Sequence, residues 1–334
     1  MNAGNSRERV LVARNVFPSV IARLEAHFEV DANPGDKVFS AAELARRLQD
    51  KAGLYATGSE RVDAALLDAC PRLRAVCNMA VGYNNIDVDA CTARGIVVTN
   101  TPDVLTETTA DFGFALMMAT ARRMAESERF LRRGEWTKWS YDMFTGSDVH
   151  GATLAILGMG RIGQAIARRG ALGFGMRVIY HNRSRLDEAV EAQLGARYVD
   201  KPTLLREADH LVLVVPYSAA SHHAIGAAEL ALMRPSATLT NSARGGVVDD
   251  AALAVALRER RIAAAGLDVF EGEPRVHADL LALPNVVLTP HIASATVATR
   301  LAMADLAADN LIAALGCGPH AGHPPTPVNR IGGP

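Results

Sequence analysis

The run "TLAILGMGRIGQAIARR", Thr153 to Arg169, leaves the chain little freedom of fold. An apolar strand leads into Gly158, Gly160 and Gly163 in G-x-G-x-x-G spacing, and a helical pattern follows. The first glycine permits the tight turn. The second lets the backbone approach a pyrophosphate, and the third lets helix and strand pack closely, with the helix N-terminus facing the anion. Three glycines in an ordinary turn would share the spacing, but a further strand at "RVIYH" completes a βαβ unit.

Short apolar, β-branched runs alternate with helical patterns along almost the whole chain, which predicts an α/β fold with parallel sheets. With 334 residues there is material for two domains. In the first third, "RVLVA", "GLYAT" and "LRAVCNMAV" read as strands, and "SAAELARRLQD" as a helix with Ser40 as N-cap and Glu43 closing a capping box. The segment "TPDVLTETTADFGFALMMATARR" predicts a long helix leaving this layer. A second series follows from Gly151, with strands "TLAIL", "RVIYH", "HLVLVVP", "ATLTN", "AAAGLDV" and "NVVLTP" and helices "RIGQAIARRGALG" and "DDAALAVALRERR". The last helix, "SATVATRLAMADLAADNLIAAL", has no strand after it, so a return to the first domain is expected, and the Gly/Pro-rich tail predicts an extended or frayed arm.

A net charge of -1 gives no field for nucleic acid or an anionic membrane, so small molecules and other subunits are the expected partners. The four cysteines form neither a CxxC pair nor Cys/His ligand spacing, which suggests no zinc site and no disulfide framework. No signal-peptide core and no membrane-length apolar run is present, and a cytoplasmic location is expected.

About 20 residues beyond the glycines, where NAD-binding units place a carboxylate for the ribose hydroxyls, the chain has Asn182 and then Arg183, Ser184 and Arg185. Asn does not repel a 2′-phosphate, and the two arginines and the serine can bind one through charge-assisted bonds. A solvated basic turn is the plainer alternative. The expected cofactor is NADPH, with NADH as a weaker substitute.

Three further motifs lie just after candidate strands: "NSARGGVVDD" with Arg244, "GLDVFEGEP" with Glu273 and "LTPHIASAT" with His291. Singly, each has a dull explanation as surface charge, helix-end acid or loop histidine. Together they make a chemically complete set: a permanent cation, an acid and a group that can move a proton. Glu271 is the rival acid. No metal is required, because Arg244 and backbone donors supply the positive charge.

With these motifs in order, together with "AVGYNNIDVDA" and "TPDVLTETTADFGFAL", the chain resembles the D-isomer-specific 2-hydroxyacid dehydrogenases over nearly its whole length. "RGEWTKWSYDMFTGSDVHG" and "YHNRSR" make it most similar to bacterial glyoxylate/hydroxypyruvate reductases that also reduce 2-ketogluconate. The resemblance implies two Rossmann-like/flavodoxin-like parallel-sheet domains with the active site in the cleft between them. It implies a substrate-binding domain of residues 1–103 and 293–334 and a dinucleotide-binding domain of 104–292, with a homodimer formed through 121–150. It implies reduction of a 2-keto acid, in which Arg244 would grip the carboxylate and polarise the carbonyl, His291 would donate the proton, and Glu273, directly before Pro274, would favour the imidazolium that carries it. Val81 and Gly82 would bind the substrate carboxylate through backbone N–H groups, although a plain turn explains that glycine too. Leu105 would stand beside the substrate, and Trp139 would reach into the partner subunit's pocket. For the cofactor, Arg161 and Ile162 would cover the pyrophosphate and Val215, Pro216 and Ser221 the adenosine side. Ser242, Ala243 and Arg244 would meet the nicotinamide ribose, Asp268 the carboxamide, and Thr109 the nicotinamide. Asn84, where many relatives carry Asp, is expected to matter little. A dinucleotide sensor or corepressor of the C-terminal-binding-protein type keeps the same fold and the same three residues, and turnover separates it from a reductase.

Overall fold

The computed structural model describes residues 7–331. They form two compact units, one running up to Leu105 and resuming at Thr296, the other Thr106–Ala295.

In the first unit, β1 (Arg9–Val12), β2 (Glu29–Ala32), β3 (Gly53–Ala56), β4 (Ala75–Asn78) and β5 (Val97–Thr99) form a parallel sheet in the order β2-β1-β3-β4-β5. Central strands β3 and β4 are buried at every position, as a sheet covered on both faces requires. One face is closed by the helix Val297–Ala314, whose Ala304, Ala307, Ala308 and Leu311 pack with Val10, Val12 and Tyr55. The Tyr55 hydroxyl, fully buried, donates to Ala304 O at 3.0 Å. Ser40 accepts from Glu43 N–H at 3.3 Å, but the Glu43 carboxylate turns to Lys37 at 2.9 Å. The expected capping box is therefore half made, because an ammonium outcompetes the Ser40 N–H. As far as Asn329 the tail is tied to β5 rather than frayed. Val328 donates to Val98 O at 2.7 Å, and the Asn329 side chain accepts from Val98 N–H at 2.8 Å.

In the second unit, β6 (Thr153–Leu157), β7 (Arg177–His181), β8 (Ala196–Tyr198), β9 (His210–Leu213), β10 (Thr238–Asn241), β11 (Ala264–Leu267) and β12 (Val286–Leu288) are parallel in the order β12-β11-β10-β9-β6-β7-β8. Strand order reverses between β6 and β9, which makes their carboxyl ends the expected ligand crevice. The helix Thr106–Ala121 packs Ala110, Phe114 and Met117 into one face of this sheet. It stops before Arg123, whose φ is 52°, and a second helix, Met124–Arg132, buries no side chain.

Candidate active site

Gly158 follows β6 with φ 104°, and a Cβ there would lie 2.8 Å from Val215 N. A Cβ at Gly163 would lie 2.3 Å from Gly158 O, so the helix Arg161–Arg168 seats its first turn directly on the loop. At Gly160, its N-cap, a Cβ would meet nothing within 4 Å. Arg161 is exposed and Ile162 half-buried at the start of that helix. The cradle fits a dinucleotide pyrophosphate. The buried hydroxyls of Thr109 and Ser242, expected at the nicotinamide and its ribose, have no protein partner among the described residues.

At the end of β7, the Asn182 side-chain Oδ1 accepts from Met159 N–H at 2.7 Å, tying the turn to the glycine loop. Arg183 and Ser184 are exposed and bond to no protein group among the described residues. Arg185 behaves differently. Its guanidinium meets the Glu191 carboxylate at 2.6 Å and 3.0 Å, and Glu191 also accepts from the Tyr180 hydroxyl at 2.6 Å. Of the two arginines expected to bind the phosphate, Arg183 stands uncommitted, and Arg185 is held by a carboxylate from the next helix. Bonds from Arg185 and Tyr180 hold the Glu191 carboxyl down at about 2, and burial with the Glu191 bond pushes the Tyr180 phenol up to about 12.

The turn after β9 carries Val215, half-buried, and Pro216, exposed. Ser221 is spent on that turn, donating to Pro216 O at 2.8 Å and accepting from Ser218 N–H at 2.7 Å. After β10, Asn241 accepts from Ala243 N–H at 3.0 Å, and Arg244 donates to Ala243 O at 2.7 Å. Burial lowers the Arg244 guanidinium pKa and Glu273 opposes the shift. The group nonetheless stays charged.

His291 follows β12 with φ 54°, and its N–H donates to Asp268 O at 2.9 Å. Its Nδ1 lies 2.8 Å from Glu273 Oε2, while Glu273 Oε1 accepts from Phe270 N–H at 2.9 Å. Burial would raise the Glu273 carboxyl. The bonds from His291 and Phe270 and the charges of His291 and Arg244 outweigh it and hold the carboxyl below its ordinary range. His291 Nε2 is left with no protein partner among the described residues. Glu271 instead faces His223 at 3.1 Å, so of the two acids only Glu273 meets His291.

Asp268, expected at the carboxamide, is 1 % exposed and accepts from Ile292 N–H, Ala293 N–H and the Thr289 hydroxyl at 2.9, 2.9 and 2.7 Å. It is the pedestal of the His291 loop, a part the motif reading missed although "GLDVF" ends a strand beside "TPHIA". Burial raises its carboxyl against those three bonds.

In the first unit, the bend after β4 holds Val81 and Gly82. Asn100 donates to Val81 O at 2.8 Å and Asn78 to Gly82 O at 2.9 Å. Both carbonyls are taken, while both N–H groups lack a protein acceptor among the described residues. Leu105 is buried at the end of this unit's first segment. Trp136, Trp139 and Tyr141 are 54, 75 and 84 % exposed.

A sequence profile for the D-isomer specific 2-hydroxyacid dehydrogenase NAD-binding domain matches residues 114–293. The chain is 49% identical to a glyoxylate reductase of Thermococcus onnurineus over 97% of its length and 96% of the relative's. It is 48% identical to one from Aeropyrum pernix, covering 92% of each. Among solved structures it is similar to an NADPH-dependent glyoxylate/hydroxypyruvate reductase of Sinorhizobium meliloti, in complex with NADP and malonate, at 40% identity. That match has a TM-score of 0.85 and covers 97% of both chains. A glyoxylate reductase from Paecilomyes thermophila matches at 32% identity, with a TM-score of 0.85, over 96% of this chain and 98% of that one.

Proposed function

The chain belongs to the D-isomer-specific 2-hydroxyacid dehydrogenase family, and we propose that it uses NADPH to reduce a small 2-keto acid to the D-2-hydroxy acid. Glyoxylate and hydroxypyruvate are the proposed substrates, with 2-ketogluconate as a third. The observation that carries this reading is the His291–Glu273 pair: Nδ1 is engaged at 2.8 Å, and Nε2 remains to face a substrate.

A reduced nicotinamide, when bound, supplies the hydride. Glu273, held ionised, accepts Nδ1–H and so presents the opposite ring nitrogen, Nε2, as the donor. His291 gives its Nε2 proton to the oxygen that becomes the hydroxyl. The neutral ring keeps Nδ1–H on Glu273 and is reprotonated at Nε2 from solvent. Arg244, permanently charged, binds the substrate carboxylate and draws electron density onto the reacting carbonyl oxygen. Val81 and Gly82, with two uncommitted N–H groups, are proposed as backbone donors to a substrate carboxylate, and Leu105 as a substrate neighbour. Arg183 and Ser184 receive the 2′-phosphate. The Sinorhizobium relative solved with NADP supports that cofactor choice.

The test is initial rates with glyoxylate and hydroxypyruvate, NADPH against NADH. A kcat/KM at least about tenfold higher with NADPH, about 1.4 kcal/mol at the transition state, is expected. His291→Ala should lower kcat by about 10²- to 10⁴-fold while cofactor affinity stays within twofold. Undiminished kcat in that variant would overturn the mechanism. Cofactor binding without turnover on any keto acid would favour the sensor.

A further inference from the structure

Apart from His291 and Glu273, the unit Thr106–Ala295 gathers another set of metal-ligating side chains. His222 and His223, in the turn after β9, stack with ring centroids 3.9 Å apart and planes 22° apart. Glu271, in the loop after β11, joins them, and one ligand atom from each of the three lies within 4.8 Å of the others. The His222 ring is held through Nδ1, 3.1 Å from the Tyr217 hydroxyl. The His223 ring is held through Nε2, 3.1 Å from both Glu271 carboxylate oxygens, with Asp249 Oδ2 at a longer 3.9 Å from its Nδ1. His222 Nε2 has no protein partner among the described residues.

A hydroxyl or carboxylate on the far ring nitrogen is how proteins orient metal-ligating histidines. Two imidazoles and one carboxylate, with a fourth position open to water, make a donor set suited to Zn²⁺ rather than to the oxygen-seeking Ca²⁺ or Mg²⁺. We infer that His222, His223 and Glu271 form a Zn²⁺ site whose occupation slows turnover.

The coupling follows from what the three residues hold. His223 N–H donates to Gly246 O at 2.7 Å, two residues from Arg244. Glu271 stands two residues before Glu273, and its own N–H donates to Asp250 Oδ2 at 2.9 Å. The two loops touch backbone to backbone, since a Cβ at Gly245 would lie 1.8 Å from Phe270 O. An ion that replaces the His223–Glu271 bond draws both side chains toward itself and shifts the loops bearing Arg244 and Glu273. The coupling rests on the proposed roles of those two residues. The binding site does not.

The full-length protein, stripped with chelator, would be titrated with Zn²⁺ in competition with a chromogenic chelator while glyoxylate reduction is followed in parallel. H222N and E271Q should each weaken Zn²⁺ binding at least tenfold, and H291N, which alters the catalytic pair alone, should leave it within twofold. Wild-type turnover should fall at least twofold as the site fills and recover with EDTA. H222N without zinc should turn over within twofold of wild type and resist the same zinc concentration. Unchanged affinity in H222N, or affinity lost in H291N, places the ion elsewhere and overturns the site. Filling of the site with turnover unchanged overturns the coupling. Absence of turnover on every keto acid overturns the proposed function and the coupling with it, while the binding titration still decides the site.

Discussion

Glu191 decides what the two arginines after β7 are free to do. By holding Arg185 at 2.6 Å it leaves Arg183 as the uncommitted cation of that turn. Arg183→Ala should therefore cut kcat/KM for NADPH at least tenfold and leave that for NADH within twofold, whereas Arg185→Ala should cost NADPH less than threefold. Steady-state kinetics with both cofactors check this, and equal losses in the two variants would restore the two-arginine clamp. The same carboxylate has a pH signature. Its folded pKa of about 2 lies below the ordinary 4.5, so its stabilisation is complete above 4.5 and is lost as pH falls toward 2. Glu191→Gln should flatten the fall in melting temperature across that window without changing its slope above pH 5, as circular dichroism melts would show. None of this pairing is visible in "YHNRSRL", because a basic turn looks the same whether its arginines face a ligand or a helix six residues on.

What was legible along the chain follows burial. Central strands such as "TLAIL" and "HLVL" are apolar at nearly every position and were read at once, whereas β2, "EVDA", exposes or half-exposes all four residues at the sheet edge and was missed. The three-residue edge strand β8, "ARY", was missed for the same reason. Edge strands are held by one neighbour and need no apolar run. The site divides similarly. Arg244, Glu273 and His291 sit in loops after β10, β11 and β12 that motif and strand pattern both mark. The Asp268 pedestal and the His223–Glu271 bond emerge only when strands far apart in sequence lie side by side. The glycine loop offers the sharpest test of this layer. Gly163→Ala would drive a Cβ into Gly158 O at 2.3 Å, an overpacking cost of about 1–3 kcal/mol. At about 2–4 °C per kcal/mol the melting temperature should fall by several degrees, and NADPH affinity should fall with it. Neither changing would mean that the helix can withdraw from the loop at no cost.

For the molecule as a whole, the proposed homodimer rests on the 121–150 segment. Its helix Met124–Arg132 buries nothing, Met124 and Leu131 are 56 and 57 % exposed, and both tryptophans of the chain lie in the same stretch. We propose these exposed apolar side chains as part of an interaction surface between two copies of the chain. Because Trp136 and Trp139 are the chain's only tryptophans, tryptophan fluorescence, excited to the red of tyrosine absorption, reports on this segment alone. Sedimentation should show twice 35.5 kDa, and dilution into monomer should shift the emission to the red. A 35.5 kDa species at every concentration would remove the dimer. The way the first unit closes has a further consequence, in time rather than in space. Its sheet is made from residues up to Leu105, but the helix that covers one face, Val297–Ala314, and the tail that lines β5 are synthesised only after the second unit. A nascent chain must carry the bare face of that sheet through translation of the whole intervening unit, Thr106–Ala295, an interval of about 10–40 s at ordinary elongation rates. During that interval Val10, Val12 and Tyr55 are a binding surface for whatever shelters nascent chains, and the unit begun before its neighbour finishes folding after it.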